Sequence, residues 1–197
     1  MVESTVKSTK VAVLEAAMTL FLSQGFEATS MDQVRQAAGV SNGSLYHHYP
    51  TKNDLARALY AEALRDFHVS QLAVIASGDV SAEAGVQGMV SAYIAWVLKH
   101  PERARVLHEL RRTSAVSQAE PEWGGLNAET FGRLREWVAG RVEAGELQPL
   151  PFSAWMALVF APVLQLTPLW LKSPKPSVPP KLRAALVRAA WLAVAPG

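Results

Sequence analysis

Apolar residues recur along most of the chain at the three- or four-residue spacing that places side chains on one face of an α-helix. Residues 8–24 are typical, because Val13, Ala17 and Leu20 follow this spacing and Gly25 suits the position just after a helix. We find no convincing alternation of single apolar and polar residues, the pattern of a strand. The pattern therefore predicts an all-α fold of about nine helices. Besides 8–24, the predicted helices are the segments that begin at Ser30, Ser41 and Thr51, and residues 81–99, 101–115, 127–144, 153–171 and 179–194.

Polar residues at fixed positions mark where the short helices near residue 40 begin and end. In the run that starts at Ser30, the serine can accept a hydrogen bond from the Gln33 amide while Gln33 reaches back, which is a capping box. Gly39 permits the positive φ that a tight turn needs, and Ser41 offers the next N-cap. Two short helices joined in this way have the spacing of a helix-turn-helix motif. The second helix, which ends before Pro50, would then enter the major groove of DNA.

This second helix, in the run GVSNGSLYHHYP at residues 39–50, has a composition unsuited to a helix that only packs. Gly43 costs up to about 1 kcal/mol of helix propensity, but it lets the backbone approach DNA closely. Asn42 and Ser44 have short side chains that can hydrogen-bond to base edges or phosphates. We therefore predict that the exposed face of this helix contacts DNA. The candidate DNA-binding residues are Ser30, Arg35, Ser41, Asn42, Gly43, Ser44, Tyr46, His47, His48 and Lys52.

The adjacent histidines of this helix raise the question of a metal site. Neighbouring residues on a helix point about 100° apart and cannot share one ion, so we interpret His47 and His48 as phosphate contacts or solvated surface. Arg35 has two open interpretations, a solvated residue on the first helix of the motif or a contact with the DNA backbone. We predict neither a metal site nor a cofactor.

Residues 10–60 resemble the DNA-binding head of the TetR family of transcriptional repressors. Many ordered matches over some fifty residues are more specific than a generic helix-turn-helix. Arg35 departs from the small residue that this family more often has, and Tyr49 replaces a commoner phenylalanine. The matching residues are Ala16–Ala17, Leu20–Phe21, Gly25–Phe26, Thr29–Ser30, Ala38–Gly39–Val40–Ser41, Gly43, Leu45–Tyr46, Tyr49, Lys52 and Leu55.

The resemblance implies two domains, a helix-turn-helix DNA-binding domain over residues 1–52 and a helical effector-binding and dimerisation domain over residues 53–197. They would be joined by the long helix that begins at Thr51. It also implies a homodimer on a palindromic double-stranded DNA operator, formed through the helices at 153–171 and 179–194. A small-molecule effector would bind the C-terminal domain and move the fourth helix, which changes the distance between the two reading helices.

A charge-free stretch over residues 147–171 has two interpretations. It is long enough to span a bilayer, but it is interrupted by prolines that include Pro162 and Pro168. A helix buried between two subunits is also apolar all round, and we favour that interpretation and predict no membrane partner. An added charge at Val159 or Val163 is then expected to weaken the dimer.

Charge and composition give only weak support for DNA binding. The formal net charge is +2, residues 1–60 are formally neutral, and the excess of basic residues lies after Glu146. The chain has no cysteine, which suits a reducing compartment, and its first residues lack the pattern of a signal peptide. We therefore predict a cytoplasmic protein whose DNA contacts depend on local placement.

Two connections are predicted from turn-forming residues. Gly124 and Gly125 predict a loop before the helix at 127, and SPKPSVPP at 173–180 predicts a stiff, proline-rich link. The chain after the head contains all six tryptophans, which together indicate a pocket for an apolar or aromatic ligand, although each alone is more typical of core packing. The candidate ligand-binding residues are Tyr93, Trp96, His108, Trp123, Phe131 and Trp137.

No arrangement of residues typical of catalysis is found, so we predict that the protein is not an enzyme. The favoured function is a sequence-specific DNA-binding transcriptional repressor that a small apolar or aromatic ligand releases from its operator. The alternative is a helical ligand-binding protein or enzyme on the same fold with a vestigial head. The intact run from Gly39 to Lys52 argues against that alternative.

Overall fold

The computed structural model describes residues 8–76, 78–117 and 120–197, without the side chains of residues 120–124 and 126. All regular secondary structure in these residues is helical, which confirms the predicted all-α fold. The helices are α1 (Thr9–Gln24), α2 (Met31–Ala38), α3 (Asn42–His48), α4 (Lys52–Ile75), α5 (Ala82–Lys99), α6 (Pro101–Leu110), α7 (Ser114–Ser117), α8 (Glu120–Glu143), α9 (Phe152–Trp170) and α10 (Pro180–Leu192).

The described part of the chain has ten helices where about nine were predicted. The additional helix arises because the predicted segment 101–115 breaks after Leu110. The Thr113 hydroxyl donates a 2.7 Å hydrogen bond to the Leu110 carbonyl, so a side chain replaces the continuing helical bond. The loop predicted at Gly124 and Gly125 was also wrong, because both residues lie inside α8. Glycine lowers helix propensity without forbidding a helix.

The chain divides into two compact units. The first unit comprises the residues up to Ala63 together with Arg105–Trp123, and the second comprises Leu64–Ala104 together with Gly124–Gly197. The helices α4, α6 and α8 therefore each contribute residues to both units. This division reflects compactness, and the functional boundary between residues 52 and 53 stays a prediction.

The core of the first unit forms where α1 packs against α2 and α3. Val13 of α1, Val34 of α2 and Leu45 of α3 are fully buried there. The Phe21 and Phe26 rings meet edge to face with centroids 5.2 Å apart, a favourable aromatic geometry. These apolar contacts with α1 fix the positions of α2 and α3, the two short helices that carry most of the predicted DNA face.

The core of the second unit forms where α5 packs against α9 and α10. Trp155 of α9 and Ile94 of α5 are fully buried, as are Val86, Met89 and Val90 of α5. Trp155 thus shows the core packing that is typical of a single tryptophan on a helix. The opposite face of α9 carries exposed leucines.

The helix α9 is, among the described residues, long and apolar enough to cross a membrane by length and composition. Core helices of soluble proteins meet the same criteria. Its buried face packs against α5 and α10, so only the remaining face needs a further partner.

Gly85 allows α5 and α8 to approach closely. A Cβ at this position would lie 2.3 Å from Cζ2 of the Trp137 ring. We expect Gly85→Ala to lower the free energy of unfolding by about 2 kcal/mol, because the bulky indole must move inside a packed interface. Urea denaturation followed by circular dichroism measures this change.

Gly140→Ala is the matched control, since a Cβ at Gly140, in the last turn of α8, meets nothing within 4 Å. It should raise the free energy of unfolding by about 0.5–1 kcal/mol through helix propensity and a more restricted unfolded chain. Equal effects of the two substitutions would contradict the close packing of Gly85 on Trp137.

Candidate nucleic-acid interface

The turn between α2 and α3 is defined by caps on both sides. The Ser30 amide donates to Oε1 of Gln33 (2.8 Å) and the Gln33 amide donates to Oγ of Ser30 (3.2 Å), which confirms the predicted capping box. Gly39 has φ 66°, the left-handed conformation that glycine adopts readily. Ser41 then caps α3 by accepting from the Ser44 amide at 3.2 Å. The helix-turn-helix geometry is therefore built from local signals.

The helix α3 has one buried side and one exposed side. Leu45 and Tyr49 point into the core, and burial, followed by the charge of Glu62, raises the pKa of the Tyr49 phenol to about 12. Asn42, Gly43, Tyr46, His47 and His48 are exposed, and Ser44 is half-buried. The exposed set includes most of the residues predicted to contact DNA from this helix.

Gly43 lies at the front of this exposed side. A Cβ added there would meet nothing within 4 Å, so no packing within the first unit requires a glycine. Its φ is not in the left-handed region either, so the backbone conformation does not require one. The space beside the Gly43 backbone is therefore free for a molecule that contacts α3.

Lys52 has contacts that the sequence did not predict. Its ammonium donates to the carbonyl oxygens of Phe26 (2.8 Å) and Glu27 (3.1 Å) and lies 4.5 Å from the Phe26 ring centroid. The lysine thus ties the start of α4 to the turn that follows α1. Any contribution of Lys52 to DNA binding therefore includes this positioning role as well as its charge.

Arg35 is paired within α2. Its Nε donates to Asp32 at 2.9 Å, and the Gln36 amide donates to the other oxygen of the same carboxylate at 2.6 Å. Exposed ion pairs of this kind contribute little to stability, so Asp32 orients Arg35 without holding it strongly. The spacing of three residues on a helix was a signal for this pair.

The two adjacent histidines lie on the exposed surface with ring centroids 5.2 Å apart. No group of three or more metal-ligating side chains occurs in the part of the chain that the structure describes. The assignment of His47 and His48 to phosphate contact stays a prediction.

Comparison with known proteins places this geometry in a family. Residues 13–59 match the family described as bacterial regulatory proteins, tetR family. The chain is 30% identical over 134 residues to the HTH-type transcriptional repressor KstR2 of Rhodococcus jostii (strain RHA1), a match that covers 68% of this chain and 63% of that protein. A TetR family transcription regulator from Shewanella sp. PV-4 shares the fold with a TM-score of 0.77 and 26% identity, over 96% of this chain and 99% of that one.

The chain belongs to the TetR family. Residues 13–59, which match the family, contain the capped α2–α3 motif. The chain spans less than two thirds of the length of curated relatives that it matches, 63% of KstR2 and 46% of the HTH-type transcriptional regulator AcrR of Shigella flexneri. These relatives are described as transcriptional regulators or repressors.

The second unit of this TetR family chain contains a connected group of aromatic rings, here called the aromatic cluster. Phe67 of α4 meets Tyr93 and Trp96 of α5 edge to face, with centroids 5.7 and 5.3 Å apart. Phe131 of α8 links to Phe152 at 6.4 Å. Further members are His68, His100, Trp155 and Phe160, each in ring contact with at least one of these residues.

Three of the predicted ligand-binding residues, Tyr93, Trp96 and Phe131, belong to this cluster. Trp137 packs on Gly85 instead, with Arg141 over its ring at 5.8 Å. His108 is exposed in the first unit, and the Trp123 side chain lies outside the described residues. The ligand assignment of all six stays a prediction.

Sequence reasoning missed two polar residues of α4, His68 and Gln71, which are both buried in the second unit. Burial lowers the pKa of His68, so this side chain is neutral at neutral pH. The signal was available, because the apolar residues Leu55, Leu59 and Ala63 begin a four-residue spacing that Gln71 interrupts.

Proposed function

We propose that the chain is a DNA-binding transcriptional repressor whose head reads double-stranded DNA with α3. The observation that carries this proposal is the exposed polar face of α3, set by the left-handed turn at Gly39 and capped by Ser41. A polar helix face that follows a capped tight turn suits the major groove. The regulators among the relatives support the same function. Such a protein would work in the cytoplasm.

A gel shift with DNA upstream of the protein's own coding sequence tests this proposal. We expect a salt-sensitive complex that concentrates on one palindromic segment, because phosphate contacts release counterions and a dimer reads two half-sites. Failure to bind any segment above the level of random DNA would favour the alternative, a helical ligand-binding protein or enzyme with a vestigial head.

Replacing Tyr46 by phenylalanine tests a predicted phosphate contact directly. The hydroxyl is on a side chain that is 44% exposed, so its removal should leave folding unchanged. Loss of one hydrogen bond should weaken DNA binding by about three- to tenfold. The dependence of affinity on salt should keep its slope, because the phenol carries no charge. Fluorescence anisotropy at several salt concentrations measures both quantities.

Tyr49→Phe is the control for this substitution within the same segment. The Tyr49 hydroxyl is buried and has no hydrogen-bond partner, so its removal should keep DNA affinity and keep or raise stability. An unchanged affinity in Tyr46→Phe, or an equal loss in both variants, would refute the contact.

We propose that the repressor is a homodimer formed through α9 and α10. This is supported by large apolar side chains that are exposed on both helices. Leu158, Leu164 and Leu169 of α9 and Leu192 of α10 are all exposed large hydrophobic residues. Several large apolar side chains exposed on neighbouring helices are typical of an interaction site. A second copy would cover it and would account for the apolar character of α9.

We propose that a small-molecule effector binds the second unit and releases the repressor from its operator. The helix α4 is continuous from Lys52 to Ile75, so it carries both a residue of the head and members of the aromatic cluster. An effector that displaces α4 would change the distance between the two reading helices of the dimer. Effector binding should therefore weaken the DNA complex.

A further inference from the structure

The side chain of Gln71 is buried, and both of its polar groups lack hydrogen bonds. It is 2% exposed, and neither its amide nitrogen nor its amide oxygen has a hydrogen-bond partner. Buried polar groups in folded proteins are nearly always satisfied by protein, water or ligand. An amide that is unsatisfied at both ends is therefore a feature that calls for an occupant.

Gln71 lies beside the aromatic cluster. Helix geometry places it on the same face of α4 as Phe67 and His68, one turn earlier. The Phe67 ring meets Tyr93 and Trp96, and the His68 ring lies 6.2 Å from that of Phe131. A ligand that reaches the amide would therefore meet flat aromatic surfaces.

The Tyr93 hydroxyl and the Trp96 indole nitrogen already have hydrogen-bond partners, whereas the buried Trp155 indole nitrogen has none and offers only a donor. The Thr167 hydroxyl donates to the Val163 carbonyl at 2.8 Å, so the Tyr93 hydroxyl is the donor in its 2.7 Å bond to Thr167. The Trp96 indole donates to Asp66 at 3.0 Å. Gln71 thus offers a paired donor and acceptor that the cluster does not consume.

The charge around the cluster favours a neutral ligand. Burial alone raises the pKa of Asp66, but hydrogen bonds from Trp96 and Arg103 outweigh it and the pKa is lowered. Asp66 is thus ionised and already paired with Arg103 at 2.9 Å. Arg135 lies 5.1 Å from the Phe152 ring centroid but is exposed to solvent. A buried charge on the ligand would lack a buried partner among these residues.

We propose that the Gln71 amide is the polar contact of a small-molecule site on the aromatic cluster. Its ligand is neutral, contains a flat aromatic ring system and presents a hydrogen-bond donor and acceptor side by side, as a carboxamide or lactam does. This inference rests on the proposed effector function and names the chemistry of that effector.

Three probes of one shape test the inference, namely 2-naphthamide, 2-acetonaphthone and 2-naphthoate. They present a donor with an acceptor, an acceptor alone and an anion on the same two rings. We expect calorimetry with the full chain to show 2-naphthamide binding about tenfold or more tightly than the other two, because a site built for two hydrogen bonds rejects analogues that lack one. Equal binding of the three probes, or tightest binding of the anion, would overturn the proposal.

Gln71→Leu should remove this preference, while the same substitution at Gln87 of α5 should keep it, since the Gln87 amide lies outside the aromatic cluster and donates to Glu83 at 2.8 Å. Circular dichroism shows that both variants fold. A preference that survives in Gln71→Leu would assign the probe to another site.

The gel shift with upstream DNA keeps this inference separate from the proposed function. If the protein binds DNA but shows no preference for 2-naphthamide, only the ligand chemistry fails. If it prefers 2-naphthamide but binds no DNA, the ligand site stands and the repressor function fails. Release of the DNA complex by 2-naphthamide would support both.

Discussion

Replacing Leu164 by glutamate should raise the dissociation constant of the proposed dimer about a hundredfold or more, because it places an unpaired charge in an apolar interface. A two-fold symmetric interface contains the substitution twice, which increases the effect. Leu164 is 51% exposed in the protomer, so each protomer should stay folded. Sedimentation over a range of concentrations measures the dimer, and thermal unfolding by circular dichroism checks the protomer. DNA binding should weaken in parallel, since one protomer holds only one half-site.

Val69→Glu is the control for Leu164→Glu. Val69 is 68% exposed on α4, so it receives the same charge at an exposed apolar position outside α9 and α10. Its dimer should match the wild type. A dimer that survives Leu164→Glu, or dissociation by Val69→Glu, would move the interface away from α9 and α10.

The structure also corrects the positions chosen from the sequence for this experiment. Val159 and Val163 are each 1% exposed within the protomer, so a charge there would disrupt the core rather than an interface. The sequence shows that α9 is apolar on all sides, but it does not show which side packs internally. That distinction depends on how α5 and α10 meet α9.

Features set by residues close together in the sequence could be predicted, whereas contacts between distant helices could not. The caps at Ser30 and Ser41 and the turn at Gly39 follow from residues within a few positions of each other, so the head was predictable in detail. The ring contacts between Phe67 and Trp96, or between Phe131 and Phe152, join helices that are distant in sequence. Helical periodicity identifies an apolar face without identifying the face that it meets.

Local signals also failed at two glycines of α8. The helix α8 continues through Gly124 and Gly125, although both residues predict a loop. At the predicted interface, a contact between residues distant in sequence added a role that local signals did not predict. The Lys52 ammonium is held by the carbonyl groups of Phe26 and Glu27, which lie 26 and 25 residues earlier in the chain. A residue that reads as a phosphate contact in the sequence thus also holds the head together.

Replacing Gly43 by alanine should stabilise the protein and weaken DNA binding at the same time. A Cβ at Gly43 meets nothing within 4 Å, and alanine is the better helix former, so the free energy of unfolding should rise by up to about 1 kcal/mol. On DNA the same methyl group would occupy the space through which the α3 backbone approaches the groove. We expect a loss of affinity of about tenfold to a hundredfold, the range for overpacking a close contact.

Gly132→Ala separates these two effects of Gly43→Ala. Gly132 lies inside α8, and a Cβ there also meets nothing within 4 Å, so its replacement should stabilise the chain without changing DNA affinity. Urea denaturation and fluorescence anisotropy measure both quantities on both variants. If Gly43→Ala bound DNA as tightly as Gly132→Ala, the glycine would serve no close approach and α3 would have to contact DNA through its side chains alone. If Gly43→Ala alone raises the free energy of unfolding and lowers the DNA affinity, α3 gives up helix stability to keep a surface for DNA.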